Sequence, residues 1–508
     1  MDIVSSLNLK KASGPDEISA KLVNACINSI SDQLLFIYNL SMSTGTVPDR
    51  LKIAKIVPIY KKGSITEISN YRPISLLSIF DKILEKIVNK RLLGFLNKHD
   101  ILYTHQYGFR SNHSTTFAVI DAIDAIYGYL DRNEYVIGTF FDLSKAFDTV
   151  NHDILLHKLQ LYGIRGIANQ WFASYLSNRE QYVSIDKTNS QRIKVKHGVP
   201  QGSVLGPLLF ILYINDISKC IPNHEIKLFA DDTNLFTHGK DIKLLVSQTN
   251  TLLSELNIWF ITNKLSLNAD KTYYSVYSPT KPVCLKQENL ELSINRLTLE
   301  QVKICKYLGV IIDEELSWKD HIKYVIKKIV KFASIFYKLR SLIPSYCLKQ
   351  IYYALVHSHI LYAVEIYANT FITYIDPLIK VNNKLLRILQ NKPWRTPVKS
   401  LYHTYSTLPV PDLHKLQLLC LVHRFLYNNA ELPVMFQNYF ILNCDVHTYG
   451  TRSCDKLHVS GVNKQFGLKS VKVKSCRLWN SLPKYVTQIV CLRKFKNAVK
   501  LCLGDQGL

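Results

Sequence analysis

Residues 226–236 constrain this chain most. Two short apolar runs, Ile226-Lys227-Leu228-Phe229 and Thr233-Asn234-Leu235-Phe236, enclose Ala230, Asp231 and Asp232. The pattern predicts a β-hairpin with the two aspartates in its two-residue loop. Adjacent carboxylates repel, and burial near further acids raises a pKa unless a cation neutralises the charge. A hard divalent ion with oxygen ligands is the natural neutraliser. A solvated Asp-Asp turn is the plain alternative, and the rest of the chain has to decide between them.

A strand predicted over residues 135–141 is continuously β-rich, as a buried central strand is, and ends at Asp142. A carboxylate there costs free energy unless it is paired or metal-bound. Between it and the hairpin lies Gly198-Val199-Pro200-Gln201-Gly202-Ser203, where Gly202 leaves room for close approach of a ligand. Residues 192–197 alternate basic and apolar, predicting a half-buried strand with a cationic face. Three carboxylates brought together in this way suit a pair of Mg²⁺ ions, with Mn²⁺ as the substitute. Lys61, Lys62 and Arg72, around a strand predicted over 53–60, are candidates for one anionic pocket.

The remaining chain is mostly helical. Helices are expected over 18–40, from 74 to 97, 114–131, from Asn151 to Gly163, 244–263, 344–374 and 377–390. Asn151 is a predicted N-cap, and Ser317-Trp318-Lys319-Asp320 reads as a capping box. The chain has 508 residues, enough for about three domains. Net charge is +24 and lopsided: residues 1–312 carry 35 Lys and Arg against 28 Asp and Glu, residues 313–508 carry 28 against 11. That skew points to a polyanion held by the C-terminal part. The longest apolar run, 204–214, is too short to span a bilayer, and the first residues do not read as a secretory signal. No membrane partner is expected. Eleven cysteines without a CxxC pair argue for reduced thiols. Cys444, His447, Cys454 and His458 have the composition of a zinc knuckle but not the spacing of a standard finger.

Six motifs together carry a family resemblance: residues 70–76 (NYRPISL), 106–110 (QYGFR), 141–148 (FDLSKAFD), 198–207 (GVPQGSVLGP), 229–232 (FADD) and 307–309 (YLG). The chain resembles the reverse transcriptases of non-LTR, LINE-type retrotransposons, nearest to jockey-like elements. Residues 478–483 with Phe495-Lys496 are similar to the C-terminal region of these elements. The resemblance implies an α+β right-hand polymerase of fingers, palm with an antiparallel sheet and helical thumb, followed by a mainly helical basic region. The corresponding spans are 1–47 for an N-terminal helical extension, 48–312 for fingers and palm, 313–404 for the thumb and 405–508 for the C-terminal region.

By the same resemblance, Asp142, Asp231 and Asp232 bind the two Mg²⁺ ions, with the Leu143 carbonyl as a further ligand. Phe147 is the steric gate against a ribose 2′-hydroxyl, and Gln201 lies near nucleotide and template. Lys61 or Lys62 with Arg72 holds the triphosphate, and Lys271 protonates pyrophosphate. The implied partners are an RNA template, a DNA primer or target, and dNTPs, with nuclear and cytoplasmic location. Related elements carry an endonuclease ahead of the polymerase. Only about ten residues precede the first loop, residues 10–16, so nicking is expected from upstream sequence or another protein. The competing readings are a catalytically inactive relict that keeps the fold, and an intron-type or telomerase-like reverse transcriptase.

Overall fold

Alternating residues from Ile53 fold as strand β1 (Ile53–Tyr60), which buries Ala54 and Ile56. β1 pairs antiparallel with β2 (Tyr71–Leu76), setting Arg72 opposite Ile59. The chain passes through β3 (Tyr135–Phe141) before β4 (Arg179–Ile185) returns parallel to β1. Short strands β5 (Thr188–Asn189) and β6 (Ile193–Val195) both pair with β4. The computed structural model describes residues 2–186, 188–446 and 454–506. They separate into two compact units: residues 1–109, 141–233 and 251–272 form the first, and residues 110–140, 234–250 and 273–508 the second.

In the first unit the five-stranded sheet is joined by helices whose ends follow local sequence. Helix Ala20–Thr44 starts at Ser19, whose Oγ accepts the Leu22 amide at 3.2 Å, and stops at Gly45 with φ +67°. Asn151 caps helix His152–Leu161 as expected, accepting the Ile154 amide at 3.0 Å. Helix Gly206–Ile214 is apolar on every side and buried on every side, the usual lot of such a helix. β7 (Ile226–Phe229) also belongs here, with the first residues of β8 (Asp232–Gly239). One expectation fails: residues 193–195 are an exposed edge and not a half-buried strand, with Ile193 59% exposed.

The second unit has its own sheet, in the order β12 (Glu300–Gln301), β9 (Tyr273–Tyr277), β3, β8. β3 is buried from Val136 onward and antiparallel to β9, as a central strand should be. β3 and β8 each cross the division along the chain, so Asp142 and Asp232 fall in the first unit. Beyond a ribbon of β10 (Ser293–Ile294) and β11 (Leu297–Thr298), β13 (Ile304–Tyr307) and β14 (Val310–Asp313) form a hairpin. Its two-residue turn, Leu308-Gly309, has positive φ at both positions, the demand of a type I′ turn.

Helices dominate the rest. The capping box is not formed: Trp318 sits at the N-cap of helix Lys319–Val330 in the left-handed region, without a side-chain cap. The carboxylate of Asp313 does that work, accepting the Ser317 and Trp318 amides at 2.9 Å each. The helix expected over 344–374 is broken by a π-turn at Tyr353–His357 and by Ala363 at φ +56°. Helix Ile372–Leu389 begins before Pro377 and carries it inside. His447 of the candidate zinc knuckle lies outside the described residues. The Cys444 amide donates to the Cys454 carbonyl at 3.2 Å, yet among the described residues no three His, Cys, Asp or Glu side chains are placed to hold a metal ion.

A buried polar cluster organises the first unit. Glu85, on helix Ile79–Lys98, is 0% exposed and accepts both the Tyr175 hydroxyl and, at 2.6 Å, the Val204 amide. Asp81 and Arg179 are buried beside it, 3.8 Å apart. Burial pushes the Glu85 carboxyl above its ordinary range, and its two donors pull against that. Glu85→Ala leaves two buried donors unpartnered and should cost about 3 kcal/mol in urea unfolding. Glu85→Gln, which keeps an acceptor, should cost clearly less. Equal losses would remove the network from the account.

Candidate active site

The hairpin tip is one residue out of the expected place. β7 ends at Phe229 and β8 begins at Asp232, so the loop is Ala230-Asp231 and Asp232 opens a strand. Ala230 takes φ +56°, a left-handed conformation that an L-residue holds only where neighbours impose it. The imposing neighbour is residues 105–108. The Leu228 amide donates to the His105 carbonyl at 3.0 Å, and the Tyr107 amide to the Leu228 carbonyl at 2.8 Å. Gln106 is buried, and its Oε1 accepts the amides of Gly108 (2.8 Å) and Ala230 (3.0 Å). A Cβ on Gly108 would lie 2.3 Å from the Ala230 nitrogen, so only glycine fits there. These residues stood in the sequence as a motif without a role; they fix the turn that aims Asp231.

Asp142 is fixed from another direction. After β3, Leu143 bridges to Leu267. The Ser144 amide donates to the Ser266 carbonyl and the Asn268 amide to the Asp142 carbonyl, at 2.8 Å each. Thr272 Oγ1 accepts the Asp142 amide at 3.4 Å. The same segment brings Lys271 round, its Nζ 3.6 Å from Asp142 Oδ2. Both side chains keep substantial solvent contact, 61% and 43%, so the pair is worth little to stability.

Asp142 acts on both hairpin aspartates. Asp231 is raised first by burial, then by Asp142, and lowered by Lys61 and Arg72. Asp232 is pushed up to about 6 by burial, then by Asp231 and Asp142. Asp232 is nevertheless exposed as a residue, so water tempers the burial part and the repulsion deserves more weight. Lys61 and Arg72 are thus brought to the acids from the ends of β1 and β2, while Lys62 stands exposed beside Lys61.

Phe147 and Gln201 are brought together by two zipped turns. The Val199 amide donates to the Phe147 carbonyl at 2.9 Å and the Gly198 amide to the Val150 carbonyl at 2.8 Å. Phe147 stacks on Phe210 with centroids 4.4 Å apart and meets Phe109 edge-on at 6.1 Å. Gln201 donates its side-chain amide to Asp148 at 2.8 Å, and its carbonyl accepts the Ser75 amide at 2.7 Å. Backbone packing requires a glycine at 202: a Cβ there would meet the Ser75 carbonyl at 2.7 Å.

The donor set suits hard divalent cations, since like-charged carboxylates gain most from one. No ready cage of three such side chains exists among the described residues. Mg²⁺ does not require one, because it is usually held by one or two carboxylates, waters and substrate phosphates.

The family model for reverse transcriptase (RNA-dependent DNA polymerase) matches residues 59–312, half of the chain and nearly every residue of this site. The chain belongs to the reverse transcriptase family. Its curated relatives are mobile-element polymerases, as the motifs suggested. The RNA-directed DNA polymerase from mobile element jockey of Drosophila melanogaster is 27% identical over 77% of this chain and 43% of its own length. The probable polymerase from transposon BS of the same fly is 28% identical over 82% of this chain and 46% of its own. The jockey enzyme of Drosophila funebris is 26% identical over 77% and 43%. The chain therefore spans less than half the length of these relatives. Among solved structures, telomerase from Candida albicans aligns with a TM-score of 0.35 and 14% identity, over 72% of this chain and 64% of that one, a likeness too weak to carry an argument.

The acid cluster sets a pH dependence. A raised pKa means that the folded state holds its proton more tightly than the unfolded chain does. The metal-free protein should therefore lose stability as pH rises from about 4 through about 6. Asp231→Asn relieves the repulsion and should raise the unfolding temperature in EDTA at pH 8 by about 1–2 °C. An unchanged or lowered midpoint there would contradict the cluster.

Proposed function

We propose that this chain is the polymerase part of a LINE-type retrotransposon protein, an RNA-directed DNA polymerase that adds dNTPs to a primer 3′-hydroxyl. The observation that carries this reading is the reverse transcriptase match over residues 59–312, supported by the backbone contacts that fix Asp142 and the Ala230-Asp231 turn. Residues 48–312 would serve as fingers and palm, 313–404 as thumb, with 1–47 and 405–508 flanking them.

Asp142, Asp231 and Asp232, with the Leu143 carbonyl, would hold two Mg²⁺ ions. When bound, these supply charge neutralisation for the attacking 3′-oxygen and for the leaving pyrophosphate. The remaining work falls to the chain's own groups. Lys61 and Arg72 receive the triphosphate, Arg72 through its planar fork. Phe147, seated on Phe210, presents an aromatic edge where a ribose 2′-hydroxyl would lie. Gln201, tied to Asp148 and to β2, stands beside the nucleotide and template. The 3′-hydroxyl gives its proton to solvent water as its oxygen bonds to the α-phosphorus, the bond from the α-phosphorus to the bridging oxygen breaks, and Lys271 donates a proton to the departing pyrophosphate. RNA template, DNA primer or target, and dNTPs are then the partners, and work on chromosomal DNA requires nuclear access. Among the described residues no helix is long and apolar enough to cross a membrane.

Two outcomes test the reading. With poly(rA)/oligo(dT), dTTP and Mg²⁺, the purified chain should extend the primer, and Asp231→Ala should lower the rate by at least about a thousandfold while keeping RNA binding. Undiminished extension by that variant would sink the metal assignment, and no extension by the folded wild type would favour an inactive relict. Phe147→Val should raise the ratio of ribonucleotide to deoxyribonucleotide kcat/KM by about tenfold or more. An unchanged ratio would leave Phe147 as a packing residue only.

A further inference from the structure

Five tryptophans occur in the chain. Four are buried: Trp171, Trp259, Trp318 and Trp479 are 9% exposed or less, whereas Trp394 is 77% exposed. Placing the largest apolar side chain in water needs a reason, and its surroundings supply one. Residues 377–411 contain six Lys and Arg and no Asp or Glu. Lys380, Lys384, Lys392, Arg395 and Lys399 are all exposed, and the Arg395 guanidinium lies 5.2 Å from the Trp394 ring centre.

The loop that carries Trp394 is held in shape. Arg387 donates twice to the Thr396 carbonyl, at 3.3 and 3.1 Å. The Lys392 amide returns to the Arg387 carbonyl at 2.9 Å, and Thr396 closes a turn onto Pro393 at 3.0 Å. Gln390 donates to the Leu401 carbonyl at 2.8 Å, and Pro393 and Pro397 restrict the backbone further. An exposed aromatic on a preorganised loop pays little entropy when a ligand arrives. Lys380 is paired with Asp376 at 2.6 Å, but the loop's own exposed charges, Lys392, Arg395 and Lys399, with Lys384 on the preceding helix, are cations, which favours a polyanion with flat apolar faces.

We propose that Trp394 is a stacking platform for an unpaired base of a single-stranded nucleic acid, whose backbone is held by the surrounding lysines and arginines. Stacking accepts any base because every base offers a π-face, and the basic rim makes binding salt-dependent. The inference rests on the reading of this chain as a nucleic-acid polymerase, and it adds a binding residue outside the matched residues 59–312.

The test uses the full chain and oligo(rU), with oligo(dT) as a second probe. Trp394 is the water-exposed emitter among five tryptophans, so saturable quenching of the red edge of the fluorescence should follow binding and weaken with salt. Trp394→Ala should raise Kd about tenfold without lowering the unfolding temperature, and Trp394→Phe should recover most of the affinity while losing the quench. An unchanged Kd in Trp394→Ala overturns the proposal, as does a blue shift with anionic vesicles but no response to either oligonucleotide. If wild type still extends a primer in either case, only the platform falls. A chain that neither extends nor binds oligo(rU) takes down both readings.

Discussion

Repulsion among Asp142, Asp231 and Asp232 is the condition under which the first unit is built. Left to relax, carboxylates sharing one field would turn apart or take up protons. Here each is pinned by backbone bonds made elsewhere. Asp142 is held by pairing between residues 142–144 and 266–268, and Asp231 by a left-handed Ala230 that Gln106 and Gly108 enforce. Asp232 is held by its place at the start of β8. The fold thus keeps an unfavourable charge arrangement, a trade common at functional sites.

Support for that arrangement reaches well away from it. Buried Glu85 fixes the Val204 amide, which anchors the start of the buried helix Gly206–Ile214. The same stretch carries Gln201 back to Asp148 on one side and to Ser75 on the other. Gly198 and Gly202 are the two bare positions that let these strands and turns close, against the Asp148 and Ser75 backbones respectively. Phe147, Gln201 and the strand that carries Arg72 are therefore tied together by one set of contacts within the first unit.

Much of this was legible in the sequence, because strand-end carboxylates have few inexpensive uses. Asp142 after a β-rich run and the paired acids between two apolar runs marked the candidate site. Asn151 announced its helix for the same local reason. What escaped was what tertiary contact decides. The hairpin loop slipped by one residue because Gln106 stabilises a positive φ at Ala230, which no turn rule assigns to alanine. Trp318 entered its helix without the capping box because Asp313 supplied both acceptors from the preceding strand. Glu85 carried no signal in the sequence, and only packing shows its two donors. Gly202 was read as a place of close approach, and the Ser75 backbone is one partner that packing adds there.

The central claim is that the three carboxylates act as one two-cation site. Counting bound Mn²⁺ by electron paramagnetic resonance, with primed template and a non-hydrolysable dNTP present, tests it most directly. Two ions per chain are predicted, with Asp142→Asn and Asp231→Asn each removing or greatly weakening binding of at least one. A count of zero, or a count that neither substitution changes, would contradict the account.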